Sequence, residues 1–136
     1  MTNDMFSVLV AERQQYMAHV GQRFVLPCHP DIQKDVDWKY RPTETGFEDY
    51  IYSNEVMYER FRDRMTVVKS DDFEYELIIS RVNLNDTGLY ICIEDLGYGA
   101  RHVAELIVYG KFFCLLIYSS FKLSEDLAYS GVTTGN

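Results

Sequence analysis

The fold class predicted by the sequence is all-β, a sandwich or barrel of about nine or ten short strands. Short alternating or apolar segments recur between turn signals roughly eight to twelve residues apart. Eleven Tyr and eight Phe stand beside a single Trp, and β-branched residues run throughout, a composition suited to pleated, half-buried surfaces. Helical periodicity is almost absent. At 136 residues the chain fits one domain with an ordinary core plus a tail, and it needs no metal to fold.

The elements follow in order. Residues 6–10 read as a first strand and 16–20 as a second short piece. Gly21 and Gln22 turn into residues 23–28, where Phe24, Leu26 and Cys28 share one face. Pro27 lies within that run and must take a position whose N–H is not needed. Residues 29–35 form a loop, 36–41 a strand, 42–46 a turn and 47–53 another strand. After a polar stretch, residues 65–69 and 73–79 pair around an acidic turn at Asp71 and Asp72. Residues 83–88 connect to a strand at 89–94, a hairpin tip at 97–99 follows, and residues 103–109 close the sheet. Residues 111–136 lie beyond the last expected strand, an extension with an apolar start and a small, polar end expected to be disordered. The domain itself is placed at residues 1–110.

Acidic residues are spread along the chain, and the formal net charge is −8. Such a surface repels phosphate backbones and anionic lipid, so neither nucleic acid nor a membrane surface is an expected partner. No stretch approaches the ~20 apolar residues of a membrane span. No secretory leader is legible at Met1, which leaves either a cytosolic protein or a chain that begins at a mature boundary.

Residues 86–92 read Asp86, Thr87, Gly88, Leu89, Tyr90, Ile91, Cys92. They resemble the D-x-G-x-Y-x-C signature of immunoglobulin-superfamily domains, with Cys28 and Trp38 upstream in the matching order. The resemblance covers roughly residues 6–109. It implies a Greek-key sandwich of about nine strands in two sheets, a Cys28–Cys92 bridge across the core, and Trp38 packed on that bridge. It implies further a Tyr90 hydroxyl bonded back to the preceding turn, close chain entry at Gly88, and an ion pair from Asp86 to Arg64, or to Arg62 if the register slips. Fifty-four residues separate Trp38 from Cys92, enough for the two additional strands of the variable type. The F-G-x-G-T of rearranging antigen receptors is missing, and the loop after Cys92 is short. The resemblance therefore points to a non-rearranging innate receptor domain, an adhesion domain or a secreted immune protein.

Function then follows from surfaces. With Trp38, Tyr90 and Cys92 inward, alternation puts Lys39, Arg41, Leu89, Ile91 and Ile93 outward on the front sheet, joined by Tyr52, Ile107 and Tyr109. Ile91 and Ile93 on a solvated face would make a covered apolar patch. Either a protein partner or a second copy of the chain covers it, or residues 112–118 fold back over it. Loops at 30–35, 54–58 and 96–101 form a second candidate surface, with Tyr98 as its aromatic anchor. Cys114 is left over, either to join two chains or to stay a free thiol. Asn85, Asp86 and Thr87 form a glycosylation sequon.

No chemistry is legible. His19, His29 and His102 have no spacing that converges on a metal, and no phosphate-cradling or nucleophile motif is present. The expectation is an extracellular, non-enzymatic module that binds a cell-surface or extracellular protein without a cofactor. A self-associating adhesion domain that dimerises through the front sheet is the alternative. An intracellular structural immunoglobulin domain with reduced cysteines is the third reading.

Overall fold

The computed structural model describes residues 13–110. The strand expected at residues 6–10, the tail and Cys114 lie outside the described residues. Nine strands are present within them: β1 (Gln14–His19), β2 (Phe24–Cys28), β3 (Asp37–Arg41), β4 (Asp49–Ser53), β5 (Val56–Met57), β6 (Met65–Lys69), β7 (Tyr75–Ile79), β8 (Gly88–Ile93) and β9 (Arg101–Tyr109). A single helical turn, α1 (Glu59–Arg62), lies between β5 and β6, and a 3₁₀ turn (Leu84–Asp86) precedes β8. One sheet has the order β1-β9-β8-β3-β4-β5 and the other β2-β7-β6. All pairs are antiparallel except β1 with β9. This is the immunoglobulin-like sandwich of the variable type.

Alternation builds the core between the sheets. Leu26, Cys28, Trp38, Ile51, Tyr75, Leu77, Ile79, Tyr90, Cys92 and Leu106 all turn inward and are buried. Cys28 ends β2 in the small sheet and Cys92 lies on β8 in the large one, bonded with Cα atoms 6.4 Å apart. Trp38 is the direct neighbour of Cys92 in the register of β3 on β8, so its indole lies beside the bridge. On the chain-entropy model, closing a loop with a separation of 64 residues stabilises the fold by about 4 kcal/mol. α1 occupies the polar stretch for which the sequence suggests no element. Its one apolar residue, Phe61, is buried with its ring 6.3 Å from Tyr40.

The entry to β8 is held by polar contacts. Asp86 is 4% exposed and accepts two bonds from the Arg64 guanidinium at 2.7 and 2.8 Å. The same carboxylate accepts from the backbone N–H of Asn83 at 2.8 Å. The Tyr90 hydroxyl donates to the Asp86 carbonyl at 2.6 Å. Tyr40, which the sequence did not single out, donates to the Thr87 carbonyl at 2.7 Å. Gly88, at φ 153°, allows that approach: a Cβ there would lie 2.7 Å from the Tyr40 ring and 2.8 Å from the Arg41 carbonyl. Burial pushes the Tyr90 hydroxyl far above the usual tyrosine range, and the Asp86 charge adds to it; the phenol is a donor at every physiological pH.

Two expectations need correction. Tyr52 does not face outward. The ladder between β3 and β4 pairs Trp38 with Tyr52 and then Lys39 with Tyr50, so Ile51 is the extra residue of a β-bulge. The bulge inverts the alternation: Tyr52 packs against the inner core and Tyr50 takes the outer face. Ile91 and Ile93 do point away from the disulfide, but they are 0% and 3% exposed, clustered with Leu89 and Val103. They are a second buried layer and not an open patch. The continuous apolar run of β8 is the pattern of a strand buried on both sides. Residues 112–118, the alternative cover, lie outside the described residues.

Two substitutions test these points. Ile91→Ala is expected to destabilise the domain by about 2–4 kcal/mol in urea unfolding, as for a core residue, where an exposed position would change it by less than about 0.5 kcal/mol. Arg64→Ala strands a buried carboxylate and should cost about 2–3 kcal/mol, less than a fully buried pair because the Arg64 side chain is 38% exposed.

Candidate functional site

Two of the surfaces that carry exposed apolar side chains coincide with the faces expected to meet a partner. The first is the outer face of the large sheet. Lys39 lies there with its ammonium 4.4 Å above the Tyr50 ring, and Tyr50 stacks on Tyr58 with centroids 5.4 Å apart. Both tyrosines are exposed. Glu48 gathers three cations: Lys39 at 3.7 Å, Arg41 at 4.0 Å, and Arg101 in a short hydrogen bond. Arg101 sits on β9, and β8 and β3 lie between β9 and β4. Its side chain therefore crosses the face that holds Leu89, Ile91 and Ile93, and the long aliphatic stems of such residues cover apolar surface while their charges stay wet. Ile107 is outward and exposed toward this sheet's other edge, beside Met17 on β1. Tyr109 is the next outward residue of β9 and half-buried.

The second surface is the loop end, where the chain leaves β8. Residues 94–97 form a tight turn with three successive positive φ angles: Asp95 at 53°, Leu96 at 57° and Gly97 at 91°. Left-handed backbone costs a non-glycine residue roughly 1–2 kcal/mol, so neighbouring bonds must hold the turn. Leu96 N–H donates to the Asp35 carbonyl at 2.8 Å, and Glu94 N–H to the Ala100 carbonyl at 2.9 Å. Gly97 is required, since a Cβ there would strike Asp37 Oδ2 at 2.3 Å.

Beneath the turn lies Glu94, 2% exposed. Its Oε1 accepts the backbone N–H groups of Asp31 and Ile32 at 2.9 and 3.1 Å, and its Oε2 meets His102 Nε2 at 2.5 Å. One carboxylate thus joins the loop before β3, the turn after β8 and the start of β9. Burial pushes the Glu94 carboxyl up, but the bonds from His102, Ile32 and Asp31 outweigh it, and its pKa falls below the ordinary value. Lys34 and Asp95 add an ion pair at 3.4 Å between the same two loops. On top of this base Tyr98 is 90%, Leu96 48% and Ile32 41% exposed.

Of the residues expected to meet a partner, Lys39, Arg41, Ile107 and Tyr98 lie outward. Ile91 and Ile93 do not offer accessible side chains, and Tyr52 is half-buried against the inner core. Tyr52 instead hydrogen-bonds the Asp35 carboxylate at 3.2 and 3.3 Å beneath the loop end. Asn85 is exposed on the 3₁₀ turn at the opposite end of β8. Sequence reasoning did not single out Glu94. The signal that could have done so was its place directly after a two-sided buried strand, where a polar side chain must be satisfied.

A cleft of about 220 Å³ beside the bridge, lined by Gln14, Tyr16, His29 and His102 among others, is smaller than ordinary ligand pockets. Among the described residues no group of three or more His, Cys, Asp or Glu could hold a metal ion, and no helix is long and apolar enough to cross a membrane.

The sequence profile of the immunoglobulin V-set domain matches residues 12–103, and the chain belongs to that family, whose fold is in general a binding module. No curated protein compared with the sequence matches it. Among solved structures the chain is similar to the first immunoglobulin domain of the mouse polymeric immunoglobulin receptor, at 20% identity and a TM-score of 0.60, over 72% of this chain and 91% of that one. It is similar to the ZIG-8 IG1 homodimer at 15% identity and a TM-score of 0.57, over 80% and 97%. A marsupial T cell receptor aligns at 23% identity and 0.57, over 71% of this chain and 50% of that one.

The Glu94 contacts set a pH dependence. A carboxyl whose folded pKa lies below its unfolded value stabilises the fold fully above the ordinary 4.5, and that contribution disappears as pH falls through the folded value. The Asp31 and Ile32 amide resonances should therefore shift together in an NMR titration with a midpoint below 4.5, and show no such step in Glu94→Gln. Glu94→Ala, which strands two backbone donors, should cost about 1–3 kcal/mol.

Proposed function

We propose that this chain is an extracellular recognition module that binds another protein through its loop end. The observation that carries the reading is the set Ile32, Leu96 and Tyr98, exposed on loops that the buried Glu94 holds from beneath. A rigid aromatic presented at 90% exposure loses little conformational entropy on binding and suits an interface anchor. Preorganised loops avoid the ordering cost that weakens mobile ones. β9 runs from the loop end to Tyr109 at the far pole. The domain on this reading spans residues 1–110, with 111–136 as an extension whose Cys114 either links two chains or stays a free thiol.

The second reading is self-association through the outer face of the large sheet. The Tyr50–Tyr58 stack with Lys39 favours it, and a structure of similar fold is a homodimer. With Ile91 and Ile93 buried, such an interface rests on Tyr50, Tyr58, Arg41 and Ile107.

Both readings are tested on the intact chain. Tyr98→Ala should weaken capture of an extracellular partner about 30-fold or more, the mark of a hot spot, with unfolding free energy unchanged within about 0.5 kcal/mol. Tyr50→Ala with Tyr58→Ala should leave capture intact. Concentration-dependent sedimentation that disappears in the Tyr50, Tyr58 double variant, with capture insensitive to Tyr98, would transfer the function to the sheet face.

A further inference from the structure

We propose that Asn85 carries an N-linked glycan and that this glycan roofs the exposed Leu84 at the pole opposite the loop end; the proposal rests on the extracellular reading above. Asn85, Asp86 and Thr87 are the one Asn-x-Ser/Thr sequence in the chain. The 3₁₀ turn fixes the backbone of Asn85 and leaves its side chain open. Its N–H donates to Asn83 Oδ1 at 2.9 Å and its carbonyl accepts the Tyr40 hydroxyl at 3.2 Å. The side-chain amide is exposed and makes no hydrogen bond to the described residues. The middle residue, Asp86, turns its carboxylate inward to Arg64, so no charge competes beside the amide.

Leu84 supplies the second observation. It is 59% exposed and lines a shallow concavity with Val20, Asn83 and Asn85, an apolar spot directly beside the attachment point. A sugar on Asn85 lies over it. The transfer joins the Asn85 side-chain nitrogen to C1 of an oligosaccharide delivered on a lipid pyrophosphate. The C1–oxygen bond to the pyrophosphate breaks, the lipid pyrophosphate leaves, and the amide gives up one proton to base. Thr87, whose hydroxyl oxygen accepts the Val108 N–H at 2.9 Å in the folded chain, serves the acceptor sequence before it serves the fold.

The position has a consequence for recognition. The turn precedes β8 and Tyr98 follows it, so the six residues of β8 keep the two about 17–20 Å apart. A glycan there blocks the lower pole and leaves Ile32, Leu96 and Tyr98 free.

The test is the full chain behind a secretion leader in glycosylating eukaryotic cells, where the leader supplies entry and the result bears on the site alone. Peptide mapping should find one glycan, on Asn85, absent in Asn85→Gln and retained in Thr87→Ser. A secreted, folded chain with bare Asn85 overturns the proposal. Enzymatic release of the glycan should raise binding of an apolar-surface dye several-fold in the wild type and not in Leu84→Ser; an unchanged signal overturns the roof. In protein from its native source, bare Asn85 with an oxidised Cys28–Cys92 bridge removes the glycan and leaves the extracellular reading. Bare Asn85 with both thiols free removes that reading as well.

Discussion

Strand β8 gives up water on both of its faces, and that constraint organises the domain. Its inward residues, Tyr90 and Cys92, build the core around the bridge. Its outward residues, Leu89, Ile91 and Ile93, form a separate apolar layer on the far side of the sheet. A strand dry on both faces can leave no backbone group unpaired, and β3 and β9 flank it to complete the ladder. Its ends are the places where the chain must return to solvent, and each end carries a buried carboxylate.

The two carboxylates have the same design. Asp86 at the entry accepts one backbone N–H and the Arg64 guanidinium. Glu94 at the exit accepts two backbone N–H groups and His102. A buried carboxylate is tolerated where hydrogen bonds replace its water, and in both places the replacement bonds also fix a turn. The difference lies above them. Over Asp86 the turn is short and polar apart from Leu84, while over Glu94 the turn is strained and crowned by Leu96 and Tyr98. One pole is thus closed by polar contacts, and the other presents exposed apolar side chains.

Much of this was legible from residues alone. The sequence from Asp86 to Cys92, with Cys28 and Trp38, carried the two-sheet sandwich, the bridge and the Arg64 pair through its resemblance to immunoglobulin-superfamily domains. Tyr52 was misplaced because a bulge at Ile51 shifts the ladder by one residue, and a bulge leaves no mark when its residues are ordinary strand formers. Ile91 and Ile93 were assigned the right face and the wrong exposure, since alternation gives direction and cannot tell what lies above a face. Glu94 was missed for a related reason: its partners are backbone groups of Asp31 and Ile32, sixty-three and sixty-two residues away, and backbone donors have no residue signature. Tyr98 was legible as an exposed hairpin tip, but the Glu94 contacts beneath its loop were not.

The parallel pairing of β1 with β9 has a mechanical meaning. Gln14 lies beside Ala104 and His19 beside Tyr109, so the two strands run in the same direction and their outer ends, Gln14 and Tyr109, sit at opposite poles. Tension applied between those two residues pulls the strands past one another along their length. The ladder bonds stand across that direction and carry the load together, as in a lap joint, where an antiparallel hairpin would open one bond at a time like a zip. A domain so connected holds its shape under tension along the chain.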